Sequence, residues 1–237
     1  MQKNKKIKLA LTGATGKVGK ELQLLLQKKE FRELFELRAL FSRKEKNYKI
    51  LKECDVLIDF SRPEFTLKIA QKATEYNKNL KLIIATTGFK AKELVKLKST
   101  LKSQSWCLIS NTSIGVFLFH QALELLGHLI PAKTFKLKLT ETHHIKKVDS
   151  PSGTAVTLKK SLEKHSTEDF QLEIKSIRKG KIFGIHELKI YNSSEEFIIR
   201  HKAKNRSLFA KGALNLAQKI HNKRFKKGLI PSEKLFS

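Results

Sequence analysis

The chain has 237 residues, 40% of them hydrophobic and spread along its length, which excludes a disordered polypeptide and allows one large domain or two modest ones. No apolar run approaches the ~20 residues that cross a bilayer, and the basic opening leads straight into a strand pattern with no small-residue cleavage site, so neither a membrane segment nor a signal peptide is expected. The net charge of +27 is mostly lysine, with arginine only eight of the 49 basic residues, and the lysines are dispersed over helix faces such as Lys90–Lys102, so nucleic acid is not the expected partner.

The first half alternates strands and helices. Ile7–Leu11 reads as a short buried strand, followed by the turn Thr12–Gly19 and a helix with Val18, Leu22, Leu25 and Leu26 on one face. Glu36–Phe41 and Asp55–Phe60 are the next strands, the latter ending at Ser61-Arg62-Pro63-Glu64, where proline marks a turn or first helical position. A helix over Glu64–Tyr76 leads to a strand over Lys81–Thr86, then a helix over Lys90–Ser103 to a strand over Trp106–Ser110. This alternation predicts an α/β fold with a parallel, doubly wound sheet. Cys54 and Cys107 lie far apart and read as reduced, buried thiols of a cytoplasmic protein.

The pattern then changes. An apolar helix over Gly115–Ile130 ends before Pro131, and Phe135–Thr140 alternates as a strand. Pro151 suits the first turn of a helix running to Lys164, with Asp149 or Ser150 as its cap. Gln171–Ile177, Ile182–Ile190 and Glu196–His201 read as an antiparallel group with one wet face, and a helix over Leu208–His221 closes the sequence. The expected division is one α/β domain over 1–112 plus 205–237 and a second α+β domain over 113–204.

Two segments carry the chemistry. In the strand–turn–helix at the start, Gly13 permits the tight turn, Gly16 lets backbone approach a pyrophosphate, and Gly19 lets helix and sheet pack closely; Ala14, Thr15, Lys17 and Val18 complete this expected cofactor-binding turn. After the second strand, Ser42 and Arg43 suit a ribose 2′-phosphate where a carboxylate would hold a 2′-hydroxyl, which favours NADPH and keeps NADH as the alternative. The second segment is His143–Ala155, with adjacent imidazoles, Lys146, Lys147 and a Ser-Gly-Thr helix start. An imidazole titrating near pH ~6.5 suits proton transfer at neutral pH. Unpaired N–H groups of Ser152, Gly153 and Thr154 would hold a carboxylate, with the Thr154 hydroxyl beside them. The two histidines point different ways and no zinc spacing is completed around them, so no metal site is expected. Taken alone, the segment also fits an ordinary capped helix.

With Asp59–Glu64, Thr86–Phe89, Asn111–Val116, Gly180-x-x-x-Gly-x-His186 and His201–Ala213, these motifs resemble, in order and over nearly the whole chain, the dihydrodipicolinate reductase family. The resemblance implies a cytoplasmic NAD(P)H-dependent oxidoreductase of lysine and diaminopimelate biosynthesis with a Rossmann-type domain, acting on a cyclic dicarboxylate by hydride transfer to ring C4. It implies His143 and Lys147 as acid–base groups, either of which is a candidate for delivering the proton. His144 would contact substrate, and Gly153 and Thr154 would hold a substrate carboxylate. Ala85, Thr86 and Thr87, with Ile109, Ser110, Asn111 and Thr112, would line the nicotinamide side of the cofactor site. The resemblance also implies dinucleotide binding for the first domain, and substrate binding and subunit contacts for the second, with a homotetramer formed through the second domain's sheet. The chain departs from the family in its short Ser42–Asp55 stretch and in carrying Ser42 where an acidic residue is usual.

Overall fold

The structure is a computed structural model and describes residues 5–42, 47–164, 166 and 171–236. The chain divides into two compact units, Met1–Ser113 with Ser207–Ser237, and Ile114–Arg206.

In the first unit, strands β1 (Ile7–Thr12), β2 (Phe35–Phe41), β3 (Val56–Asp59), β4 (Lys81–Ile84), β5 (Ser105–Leu108) and β10 (Gly228–Leu229) form one sheet in the order β10-β5-β4-β3-β1-β2. Every neighbouring pair is parallel, as the alternation of strands and helices predicts. Both faces are covered, so the central strands are continuous apolar runs. Leu9, Leu11, Val56, Ile58 and Ile83 point to one side, where α1 (Lys17–Gln27) and α7 (Ser207–Asn222) pack. Ala10, Leu57, Leu82, Ile84 and Trp106 point to the other, against α3 (Pro63–Tyr76), α4 (Ala91–Thr100) and the 3-10 turn Tyr48–Glu53. The chain leaves β1 first toward β2 and later, through β3, in the opposite direction. The switch point of the sheet therefore lies at the carboxyl ends of β1 and β3. Short helices α2 (Lys29–Arg32) and α8 (Glu233–Phe236) and the two-residue β10 carry too little periodicity to be expected from sequence.

The second unit contains α5 (Ile114–Leu129), β6 (Lys136–His143), α6 (Gly153–Glu163), β7 (Leu172–Arg178), β8 (Ile185–Tyr191) and β9 (Glu196–Lys202), with sheet order β7-β6-β8-β9. The expectation of an all-antiparallel group is corrected here: β8 and β9 are antiparallel, but β7 runs parallel to β6 on its far side. The helix α6 intervenes between them and supplies the crossover that a parallel pair requires. Rungs Leu172–Leu137–Ile190–Phe197 and Ile174–Leu139–Leu188–Ile199 cross the four strands. Phe119 and Leu123 of α5 and Ala155, Leu158 and Leu162 of α6 complete that core. The helices touch closely at Gly127, where an added Cβ would lie 1.9 Å from the Leu162 carbonyl oxygen.

The start of α6 also differs from expectation. Pro151 precedes the helix, joined to Ser150 by a cis peptide bond, and the cap is Ser152, whose hydroxyl accepts the Ala155 N–H at 3.2 Å. Of the two expected caps, Asp149 does accept an end donor, the Gly153 N–H at 3.3 Å, while the hydroxyl that takes the Ala155 N–H belongs to Ser152 and not to Ser150.

Candidate active site

The alternation of β6 puts Leu137, Leu139, Glu141 and His143 in one inward row and Lys136, Lys138, Thr140 and Thr142 in the other. The inner face of the sheet is thus apolar for two rungs and then turns polar. The next rung is Ser176–Glu141–His186–His201, and one step further His143 pairs in register with Arg178. Glu141 is completely buried, and His143 and His186 are nearly so.

Glu141 is the hub of this polar end. One oxygen pairs with the Arg178 guanidinium at 2.8 Å and accepts the Ser152 N–H at 3.3 Å; the other holds Nδ1 of His143 in a short contact. Burial pushes the Glu141 carboxyl up, but hydrogen bonds from Arg178, Ser176 and His143 outweigh it and leave its pKa below the usual range. Burial pushes the His143 imidazole down; the bond to Glu141 opposes this without cancelling it, so His143 stays below its ordinary value of 6.5. The His143 and His186 rings meet edge to face at a centroid distance of 5.2 Å, and His186 stacks on His201 at 6.3 Å. Burial, reinforced by the charges of His143 and His201, drives His186 to about 3. Nε2 of His143 faces Gly184, where a Cβ would stand 3.1 Å away.

The loop after β6 is strapped to the β7–β8 connection by Lys179 N–H to His143 O at 2.8 Å and Ile145 N–H to Gly180 O at 3.3 Å. A turn closed by Lys147 N–H to His144 O brings Lys147 round, and its ammonium pairs with Asp149 at 2.7 Å. Asp149 also accepts the Gly153 N–H at 3.3 Å. The expected unpaired donors are therefore engaged at two positions, Ser152 by Glu141 and Gly153 by Asp149, because two carboxylates of the chain lie at the start of α6. Space around Gly153 is open, with nothing within 4 Å of a Cβ placed there, and Thr154 is half-buried in the first turn. His144 is likewise half-buried, directly after β6.

In the first unit, a cleft of about 990 Å³ sits at the sheet's switch point. Of the residues expected to bind cofactor, Gly13, Thr15, Gly16 and Ser42 line it, together with Phe41, Phe60, Ser61, Arg62, Glu64, Phe65 and Lys68. Ala14 and Val18 instead pack into the hydrophobic core behind the turn, while Lys17 is exposed on α1; Arg43 lies outside the described residues. Gly13 has φ +71°, and its Cβ would fall 2.3 Å from the Phe60 carbonyl oxygen, so the β1 turn closes on the β3 turn only with glycine there. Gly16 caps α1 without a side-chain hydrogen bond, and the first turn of that helix holds no carboxylate. Beneath the cleft, the buried Asp59 carboxylate accepts from the hydroxyls of Thr12, Ser61, Thr66 and Thr86, tying together the ends of β1, β3 and β4 and the start of α3.

Ala85, Thr86 and Thr87 follow β4, with Thr86 turned inward onto Asp59 and Thr87 exposed. Ile109, Ser110, Asn111 and Thr112 follow β5; Ile109 is buried, Ser110 is exposed, and Asn111 accepts the Ser113 N–H at 3.0 Å. Thr112 donates to the Phe209 carbonyl at 2.7 Å, anchoring this turn on α7. Sequence reasoning missed Glu141, Arg178, Arg62 and Lys68. For Glu141 a signal existed, since it continues the apolar alternation of its strand by two residues. Among the described residues no group of three or more His, Cys, Asp or Glu is placed to hold a metal ion, and no helix is long and apolar enough to cross a membrane.

Comparison with known proteins gives a consistent result. The family model described as dihydrodipicolinate reductase, N-terminus, matches residues 7–112, and its C-terminal counterpart matches residues 115–235. A 4-hydroxy-tetrahydrodipicolinate reductase of Bdellovibrio bacteriovorus is 34% identical over 214 residues, covering 90% of either chain. One from Pelagibacter ubique is 31% identical, covering 93% of this chain and 95% of its own. Among solved structures, a dipicolinate-bound dihydrodipicolinate reductase from Paenisporosarcina superposes with a TM-score of 0.76 at 20% identity, covering 95% of this chain and 97% of that one.

Proposed function

Since the chain belongs to the dihydrodipicolinate reductase family, we propose that it reduces 4-hydroxy-tetrahydrodipicolinate to tetrahydrodipicolinate with NADPH, NADH serving less well. The oxidoreductase activity and its place in lysine and diaminopimelate biosynthesis come with the family; the residue roles are our reading. The observation that carries it is the buried polar end of the β6 sheet, where Glu141 holds His143 and the Asp149 carboxylate paired with Lys147 accepts the Gly153 N–H of α6.

The cleft at the sheet switch point fits a dinucleotide. The Gly13 turn presents backbone where a side chain would block it, and the uncapped N-terminus of α1 suits a pyrophosphate. Gly13, Thr15 and Gly16 would hold it, with Ser42 and Arg43 at the adenosine ribose. Arg62 and Lys68 in the lining, against one carboxylate, Glu64, support a 2′-phosphate. When bound, the reduced nicotinamide would supply the hydride to ring C4, while the 4-hydroxyl leaves as water with the added proton. His143 and Lys147 handle the proton and, as cations, stabilise the negative charge that develops on the substrate. His144 contacts substrate, and Gly153 and Thr154 take a carboxylate in exchange for Asp149.

The free, buried thiols of Cys54 and Cys107 support a reducing, cytoplasmic setting. For a homotetramer built on the four-stranded sheet, support comes from Phe197 and Ile198, which are about half exposed on β9. Light scattering of the purified protein tests that directly, and a monomer would refute it. The activity is tested by following NADPH and NADH oxidation with the condensation product of pyruvate and aspartate semialdehyde. His143→Ala and Lys147→Ala should each lose most turnover while still binding cofactor; near-normal rates in both would sink the assignment.

A further inference from the structure

The roles proposed for His143 and Lys147 do not account for a fully buried glutamate at an inward strand position, two residues before His143. Glu141 occupies such a position, on the same row as Leu137 and Leu139. A buried carboxylate costs stability unless it is paired and hydrogen-bonded, and here both oxygens are engaged. Arg178 and the Ser152 N–H hold Oε1, and His143 is bonded to Oε2. We propose that Glu141, anchored by Arg178, is the positioning residue for His143: it takes the Nδ1–H and so dedicates Nε2 to exchanging a proton with the substrate.

The geometry supports each part. A carboxylate only accepts, so the proton between these groups belongs to Nδ1, and in the neutral ring the lone pair is on Nε2. Neutral imidazole in water prefers the opposite tautomer, so the choice is imposed by the site. Among the described residues no competing partner offers itself at Nδ1 of His143. His186 meets the ring edge to face, and neither nitrogen of His186 has a hydrogen-bond partner. The space before Nε2 is kept by Gly184, whose absent Cβ would lie 3.1 Å from that atom. This gives the Gly180-x-x-x-Gly184-x-His186 segment a role as a wall and a notch. The ionisable groups facing His143 are Glu141 on its own strand, Arg178 on β7, His186 on β8 with His201 behind it, and Lys147 from the following loop. Of these, Glu141 alone is an anion, and it favours the imidazolium that His143 forms as it exchanges the proton.

This inference rests on the reading of His143 as a proton-handling group, and its test separates the two. Steady-state kinetics are measured against pH for wild type, Glu141→Gln, Glu141→Ala and His143→Ala. With Glu141 changed, kcat should fall about tenfold or more while KM for NADPH holds within about twofold. The pH limb of kcat/KM that His143→Ala abolishes should move to lower pH by about one unit or more, the usual effect of removing a carboxylate beside an imidazole. A purely architectural Glu141 would leave that limb in place. Normal kcat and an unmoved limb in both Glu141 variants, with His143→Ala inactive, would overturn the positioning role and leave His143 intact. Should the variants fail to fold, 15N spectra of histidine-labelled wild-type protein above pH 7 decide. A protonated Nδ1 on His143 supports the proposal, and an Nε2–H tautomer refutes it even if His143→Ala proves inactive.

Discussion

His186 is a neutral imidazole held between two others, with no hydrogen bond from the described residues to either ring nitrogen and a pKa lowered by burial to about 3. In the unfolded chain it takes up a proton near its ordinary 6.5, so the stability it permits is complete above that pH. As pH falls, the unfolded state binds the proton first, and stability is lost progressively between about 6.5 and about 3, at up to about 1.4 kcal/mol per unit. Thermal unfolding of wild type and His186→Phe across pH 7.5 to 4 should therefore diverge, the variant falling less steeply. Parallel curves would contradict the burial of a neutral ring. Gly13→Ala belongs to the same scale: its φ of +71° and the clash with Phe60 O should destabilise the fold by about 1–3 kcal/mol and weaken NADPH binding in a titration. That residue was legible in the sequence because a glycine turn is a local signal. Glu141 was less so, because a strand that ends at Thr140, where apolar alternation meets a charge, leaves it out; burial of a charge depends on Arg178, which is distant in sequence.

Among the elements, α6 and its approach to α5 give the sharpest tests. Ser152→Ala removes the hydroxyl that caps α6 and should cost about 1 kcal/mol by denaturant unfolding. Gly127→Ala places a Cβ within 1.9 Å of the Leu162 carbonyl, so the helices must separate, and a loss of about 1–3 kcal/mol is expected with kcat little changed. A variant as stable as wild type would mean that the helices yield easily. The periodic helices and strands of the first unit were readable because each carries its own pattern over ten residues or so. The partner of β7 was not. Period-2 alternation shows which face of a strand is buried but says nothing of its neighbour, and here the neighbour lies across α6. The start of α6 was misplaced because Pro151 satisfies the sequence rule for a first turn, while the hydroxyl that forms the cap belongs to the next residue.

At the scale of the molecule, the chain carries a net charge of +27, and the proposed substrate and cofactor are both anions. Such a field raises encounter rates and is screened within about 8 Å at physiological salt. Raising salt from 50 to 500 mM should lower kcat/KM several-fold through KM, with kcat nearly constant; an unchanged KM would leave the lysines with no part in binding. The cofactor-binding unit is also assembled from two separated stretches of chain, while Ile114–Arg206 forms its unit without interruption. The side chains of α7, Ala213, Leu214, Ala217 and Ile220 among them, cover Leu9, Ile58 and Ile83. During synthesis those strands leave the ribosome long before their cover does. A nascent chain halted at Arg206 would present an apolar sheet face to chaperones and proteases, while its most recently made segment could already close its own core. The half of the protein translated first is the last to be finished.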